Sequence, residues 1–177
     1  MLKKLENHIV LVDTEQKVNG EGWGFTENGH RVPGTKHSAN WLHEVYTLSD
    51  PGCTTRVTVP TLWDSRTQTV VSNESSEIIR MFDSAFVDVA ESSPLLCPDN
   101  LRAEIDAMNT FVLENINNGV NKCGRSTSQN AYDEAFENLF DALDALEERL
   151  GRQRYLIGNS PTEADWRLYP NLIRFDP

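Results

Sequence analysis

Glu74 and Ser75 stand side by side where a polar stretch gives way to Ile78, Ile79, Phe82 and Phe86. That spacing predicts a helix from about Ser75, with those four residues as its apolar face. The first N–H groups of such a helix lack intrahelical acceptors and sit at the positive end of its dipole, so the terminus suits a carboxylate. Taken singly, each residue also has a plain structural use, Glu74 complementing the dipole and Ser75 capping the helix. Upstream, Val57 and Val59 alternate with polar partners and stop at Pro60, which cannot donate to a sheet. A strand ending at Val59 and a cis Val59–Pro60 bond are predicted. Trp23 lies between glycines and Arg56 just ahead of the strand, where a loop anchor and a solvated surface charge are the simplest uses.

The remaining reactive side chains form no motif. Cys53, Cys97 and Cys123 lie far apart without CxxC spacing, so neither a zinc site nor a disulfide framework is indicated. A nucleophilic thiol needs a helix N-terminus or cationic neighbours to lower its pKa, and Cys53 has only Arg56 near it in sequence. His8, His30, His37 and His43 are scattered over a predicted strand and a long loop, and no metal site is expected from them.

The elements that must position these residues follow from the pattern. Residues 8–13 carry Ile9, Val10, Leu11 and Val12 in a nearly continuous apolar run, the composition of a buried strand. Residues 61–63 and 69–71 predict two antiparallel strands around the polar turn 64–68. Periodicity is lost over 88–100, where Ser92-Ser93-Pro94 and Pro98 read as a linker. Beyond it, Leu101, Ile105, Met108, Val112 and Ile116 predict a helix closed by Asn117-Asn118-Gly119, the glycine tolerating the left-handed position. A long helix is expected from a capping box at Ser126 to Gln129 up to Gly151. Its core stripe is Tyr132, Phe136, Leu139, Leu143, Leu146 and Leu150. Thr162 and Asp165, three residues apart, predict another capping box ahead of Trp166, Leu168 and Leu172, with a role in folding rather than catalysis.

Six stretches together carry a resemblance. They are Gly22-Trp23-Gly24-Phe25, HEVYTLSDP at 43–51, RVTVPTLWD at 56–64, NESSEIIRMF at 73–82, INNGVNKCG at 116–124, and RQRYLIGNSPTEADWRLYPNLIRFDP at 152–177. In that order the chain resembles the glutathione transferases, and within them the Xi class, the glutathionyl-hydroquinone reductases. The resemblance implies an α/β thioredoxin-like part over 1–90, lacking its first strand, a linker over 91–100, and an incomplete all-α glutathione transferase part over 101–177. It also implies a glutathione pocket. Glu74 would take the γ-glutamyl ammonium, Ser75 and its N–H the γ-glutamyl carboxylate, and Val59 the cysteinyl amide in the manner of a neighbouring strand. Trp23 would form a wall and Arg56 a charge partner.

In that family a cysteine thiolate attacks the sulfur of a glutathionyl-hydroquinone and releases the hydroquinone, leaving a mixed disulfide that a second glutathione resolves. The nucleophile belongs to a Cys-Pro-Trp-Ala-type motif, which the resemblance puts upstream of Met1. No catalytic residue is therefore expected within these 177 residues, and the chain looks shortened at both ends. At Asn121 the family usually has a tyrosine that lines the quinone pocket. Two functions follow: a parent glutathione-dependent thiol transferase or reductase, and alternatively a non-catalytic homologue that binds glutathione or serves as a structural protein. Glutathione is the expected co-substrate, with quinone-derived small molecules as acceptors and a homodimer as the family's assembly.

Bulk properties restrict the partners. A net charge of −11 argues against nucleic acid, whose phosphates call for clustered Lys and Arg. No run approaches the roughly 18 apolar residues of a membrane helix, and Met1-Leu2-Lys3-Lys4 is followed by Glu6 and Asn7 instead of a signal-peptide core. A cytoplasmic location is expected.

Overall fold

The structure is a computed structural model describing residues 4–17, 22–26, 29–90 and 95–175. The chain divides into two compact units, residues 1–93 and 94–177. Of the expected linker, residues 91–94 lie outside the described residues.

In the N-terminal unit the described strands form three antiparallel pairs. β1 (Thr14–Lys17) pairs with β2 (Gly22–Phe25), Gln16 lying opposite Trp23. β3 (His30–Arg31) pairs with β4 (Ser38–Ala39), and α1 (Leu42–Ser49) follows. Glu44 starts α1 by accepting the Trp41 N–H at 2.8 Å, and the helix turns Leu42, Val45 and Tyr46 into a core shared with Phe25, Val32 and Ala39. β5 (Leu62–Asp64) and β6 (Thr69–Ser72) make the expected hairpin, and α2 (Ser75–Ser84) follows it. Ile78 is buried on α2 and Phe82 is half-buried against Phe86, although Phe86 itself lies past the helix end.

Two expected strands are absent. Residues 8–13 belong to no strand, and Val10 and Leu11 are 77% and 78% exposed. β-branched residues favour a strand only when a neighbour takes up their backbone groups, and among the described residues none pairs with this segment in a ladder. Residues 56–59 are likewise outside any ladder. Side chains occupy the backbone there instead: the Thr58 carbonyl accepts the Tyr46 hydroxyl at 3.3 Å and Thr61 Oγ1 at 2.8 Å. The Val59–Pro60 peptide is cis.

Two turns in this unit interlock. The Asp64 carboxylate accepts the Arg66 N–H at 2.9 Å and Thr67 Oγ1 at 2.7 Å, which closes the hairpin turn. Trp63 Nε1 then donates to the Pro33 carbonyl at 2.9 Å, and Gln68 Nε2 to the Gly34 carbonyl at 2.7 Å. Gly34 has φ +79°, and a Cβ there would stand 1.9 Å from the Ser65 carbonyl oxygen. Only glycine permits both that dihedral and that approach.

The second unit is helical. α3 (Arg102–Phe111) runs through a π-helical turn (Val112–Asn117) into α4 (Asn118–Arg125), and α5 (Gln129–Leu150) and α6 (Glu163–Leu172) complete it. Ile105, Val112 and Ile116 are essentially fully buried here, each contributing about 1.5–3 kcal/mol relative to exposure. The expected closure at Asn117-Asn118-Gly119 does not occur, because the helical path continues and Gly119 is helical. This glycine serves packing: a Cβ on it would lie 3.2 Å from Leu139 Cδ1, so its absence lets α4 approach α5 closely.

Two details of α5 also differ from expectation. Its cap is Ser128, whose side chain accepts the Ala131 N–H at 3.3 Å, in place of a capping box at 126–129. Its buried stripe is Ala135, Leu139, Ala142 and Leu146, with Leu143 half-buried. Tyr132, Phe136 and Leu150 are exposed, and Phe136 stacks between Tyr132 and Phe140. The small alanines permit helix packing, so the buried face rotates toward them and away from the aromatics.

Candidate functional site

The start of α2 is built from a buried serine outward. Ser72, the last residue of β6, is 8% exposed; its hydroxyl accepts the Glu74 N–H at 3.0 Å and donates to Glu77 Oε2 at 2.8 Å. This fixes Glu74 as the N-cap with extended backbone (φ −95°, ψ 112°). The Glu74 carbonyl then accepts the Glu77 and Ile78 N–H groups, both at 3.0 Å. Ahead of those bonds the N–H groups of Ser75 and Ser76 have no intrahelical acceptor, leaving a donor pair at the positive end of the helix. The Glu74 carboxylate and the Ser75 hydroxyl have no hydrogen-bond partner among the described residues, and both residues are exposed.

A second half of the site adjoins it. Asn73 Nδ2 donates to Thr58 Oγ1 at 3.0 Å, which ties the residue before Glu74 to the residue before Val59. Val59 is 36% exposed, and its backbone N–H and C=O make no hydrogen bond among the described residues. An unbonded backbone segment and a helix N-terminus with a free carboxylate are thus held next to each other. Such a pair can take an extended peptide carrying both an ammonium and a carboxylate at one end.

Other candidates fall elsewhere. Trp23 sits in β2, half-buried and packed on the N-terminal core, and Arg56 is exposed; among the described residues no hydrogen bond or ion pair ties either to the start of α2. Cys53 is half-buried against the same core, Cys97 is buried in the helical core, and Cys123 is half-buried against it. His30 stacks on Phe25 with ring centroids 4.9 Å apart, and His43 stacks on Trp41 at 6.4 Å. Among the described residues no three His, Cys, Asp or Glu side chains converge in a way that could hold a metal.

Thr162 and Asp165 form the capping box of α6. Asp165 Oδ2 accepts the Thr162 N–H at 2.8 Å and its hydroxyl at 3.0 Å, and Oδ1 accepts the Leu156 N–H at 2.8 Å. With its oxygens so engaged, Asp165 organises the entry to the helix.

Sequence reasoning missed Thr58, Ser72 and Asn73. Their signal is only that of short hydrogen-bonding residues flanking a proline and a helix start, which is common to turns in general.

Comparison with known proteins adds independent observations. The Glutathione S-transferase, C-terminal domain family matches residues 129–177. The chain is 46% identical over 175 residues to the glutathionyl-hydroquinone reductase PcpF of Sphingobium chlorophenolicum, covering 99% of this chain and 56% of that protein. It is 44% identical over 177 residues to the glutathionyl-hydroquinone reductase YqjG of Escherichia coli, covering 99% and 54%. The glutathione-bound structure of YqjG superposes with a TM-score of 0.90 at 43% identity, covering 99% of this chain and 58% of that one. Glutathione transferase Xi 1 from Trametes versicolor superposes with a TM-score of 0.88 at 41% identity, covering 99% and 62%. Over 99% of its length the chain is similar to glutathione transferases of the Xi type. It spans about half the length of the curated relatives it matches. Its two units have the glutathione transferase fold, thioredoxin-like followed by helical. Among the described residues no helix is long and apolar enough to cross a membrane.

Proposed function

We propose that this chain supplies the glutathione-holding part of a glutathione-dependent thiol transferase or reductase acting on glutathionyl-hydroquinones. The observation that carries the proposal is the pairing of a free Glu74 carboxylate and Ser75 donors with the unbonded backbone edge of Val59. Glu74 balances the γ-glutamyl ammonium, Ser75 and the α2 terminus take the γ-glutamyl carboxylate, and Val59 pairs with the cysteinyl amide. Trp23 serves as a wall and Arg56 as a charge partner of the same ligand. That YqjG, a relative of similar fold, has been solved with glutathione bound supports this ligand.

The chemistry is attack of a cysteine thiolate in a Cys-Pro-Trp-Ala-type motif on the thioether sulfur, which forms a mixed disulfide as the C–S bond breaks and the hydroquinone leaves protonated, followed by thiol–disulfide exchange with a second glutathione; Cys53, Cys97 and Cys123 stand in no such motif. None of the three is assigned as the nucleophile. Asn121, exposed on α4 with its amide donating to the Asn117 carbonyl at 3.0 Å, stands where the resemblance puts the family's usual quinone-pocket tyrosine. The protein works in the cytoplasm as a homodimer, with glutathione and quinone-derived small molecules as partners and without a metal.

Titration calorimetry with glutathione tests the pocket. Glu74→Ala and Ser75→Ala should each weaken binding about tenfold to hundredfold, the equivalent of losing a charge-assisted hydrogen bond of about 1.5–3 kcal/mol. His37→Ala, remote in role, should leave the affinity as it was. Unchanged affinity in both site variants would place the ligand elsewhere.

A further inference from the structure

We infer that Asn73 is a positioning residue that sets the separation between the two halves of the ligand site. The inference rests on the glutathione reading above. The halves, Val59 and Glu74 with Ser75, are separated in sequence by the whole β5–β6 hairpin, and no ladder holds residues 56–59 in place. What holds them is Thr58. Its carbonyl is taken by Tyr46 and Thr61, and its hydroxyl accepts Asn73 Nδ2 at 3.0 Å. Thr58 immediately precedes Val59, and Asn73 immediately precedes Glu74. One side-chain hydrogen bond therefore joins the residues next to the two binding elements, and it is the only such bond between these segments among the described residues.

A ligand that must reach both halves gains from their being held in register before it arrives, since ordering them on binding costs affinity. Neither Asn73 nor Thr58 needs to touch the ligand for this. Ser72 plays a separate part, fixing Glu74 to β6 and α2 without linking it to Val59.

The test is a double-mutant cycle read by glutathione calorimetry, with thermal midpoints measured alongside. Asn73→Ala and Thr58→Val should each weaken binding by about five- to tenfold, and the double variant should be no weaker than the weaker single, because one bond is lost in all three. Thr58→Ser keeps the hydroxyl and should bind within about twofold of the parent chain. Glu74→Ala serves as the control for the ligand site itself. If Glu74→Ala weakens binding while Asn73→Ala and Thr58→Val do not, the positioning role is overturned and the pocket stands. Additive losses in the double variant, or a loss in Thr58→Ser equal to that in Thr58→Val, would overturn it as well. If Glu74→Ala also has no effect, the ligand site is misplaced and the inference falls with it.

Discussion

Among the described glycines, Gly34 has the least room for a side chain. Its φ of +79° and the 1.9 Å approach of a hypothetical Cβ to the Ser65 carbonyl put two penalties on any side chain, and the obstacle is backbone that cannot swing aside. Gly34→Ala should lose about 2 kcal/mol or more of stability, measured by urea unfolding. In the neighbouring turn the Thr67 hydroxyl first and the Arg66 N–H second hold the Asp64 carboxyl below its ordinary value of 3.8, outweighing a smaller opposing effect of desolvation. A carboxyl with a depressed folded pKa contributes stability that is present above its unfolded pKa and is lost as pH falls through the folded value. The hairpin turn should therefore loosen only below about pH 4. An NMR titration following the Thr67 and Arg66 amides would show this, and amides that begin to move near pH 6 would contradict it. The cysteines bear on function by their independence of the pocket: Cys53→Ser and Cys123→Ser should leave glutathione affinity unchanged in calorimetry.

Among the elements, α4 and α5 depend on Gly119 and α6 on Asp165. Gly119→Val would press against Leu139, and overpacking of this kind should cost about 1–3 kcal/mol in thermal unfolding. Gly119→Ala should be close to neutral, the better helix propensity offsetting a contact that Leu139 can relieve. Asp165→Ala removes the acceptor of three bonds and should cost at least about 1–2 kcal/mol, again by thermal midpoint.

The legibility of these elements in the sequence follows from where their determinants lie. The β5–β6 hairpin, α2 and the α6 capping box depend on residues close in sequence, and their patterns announced them. Residues 8–13 and 56–59 have strand-like composition, but a strand needs a partner that composition does not name. Asn117-Asn118-Gly119 has the chemistry of a helix stop, but the helical path continues there with Gly119 packed close to Leu139 and Asn117 Oδ1 accepting Asn171 Nδ2 at 2.7 Å, contacts the local sequence does not announce. In the site, Glu74 and Ser75 were visible from the helix they open. The Asn73–Thr58 bond was not, because it joins residues fifteen positions apart.

At the scale of the molecule, the acidic balance and the two-unit organisation fit the proposed small anionic-peptide ligand better than a nucleic acid. A net charge of −11 should keep the chain from being retained on heparin even at low salt. The central claim, that glutathione lies between the Val59 edge and the α2 N-terminus, is tested most directly by amide chemical-shift mapping. The isotope-labelled chain would be titrated with glutathione, and the shifts of Val59, Glu74, Ser75 and Ser76 should be the largest and should saturate together. Saturable shifts centred elsewhere, with these four amides unmoved, would contradict it.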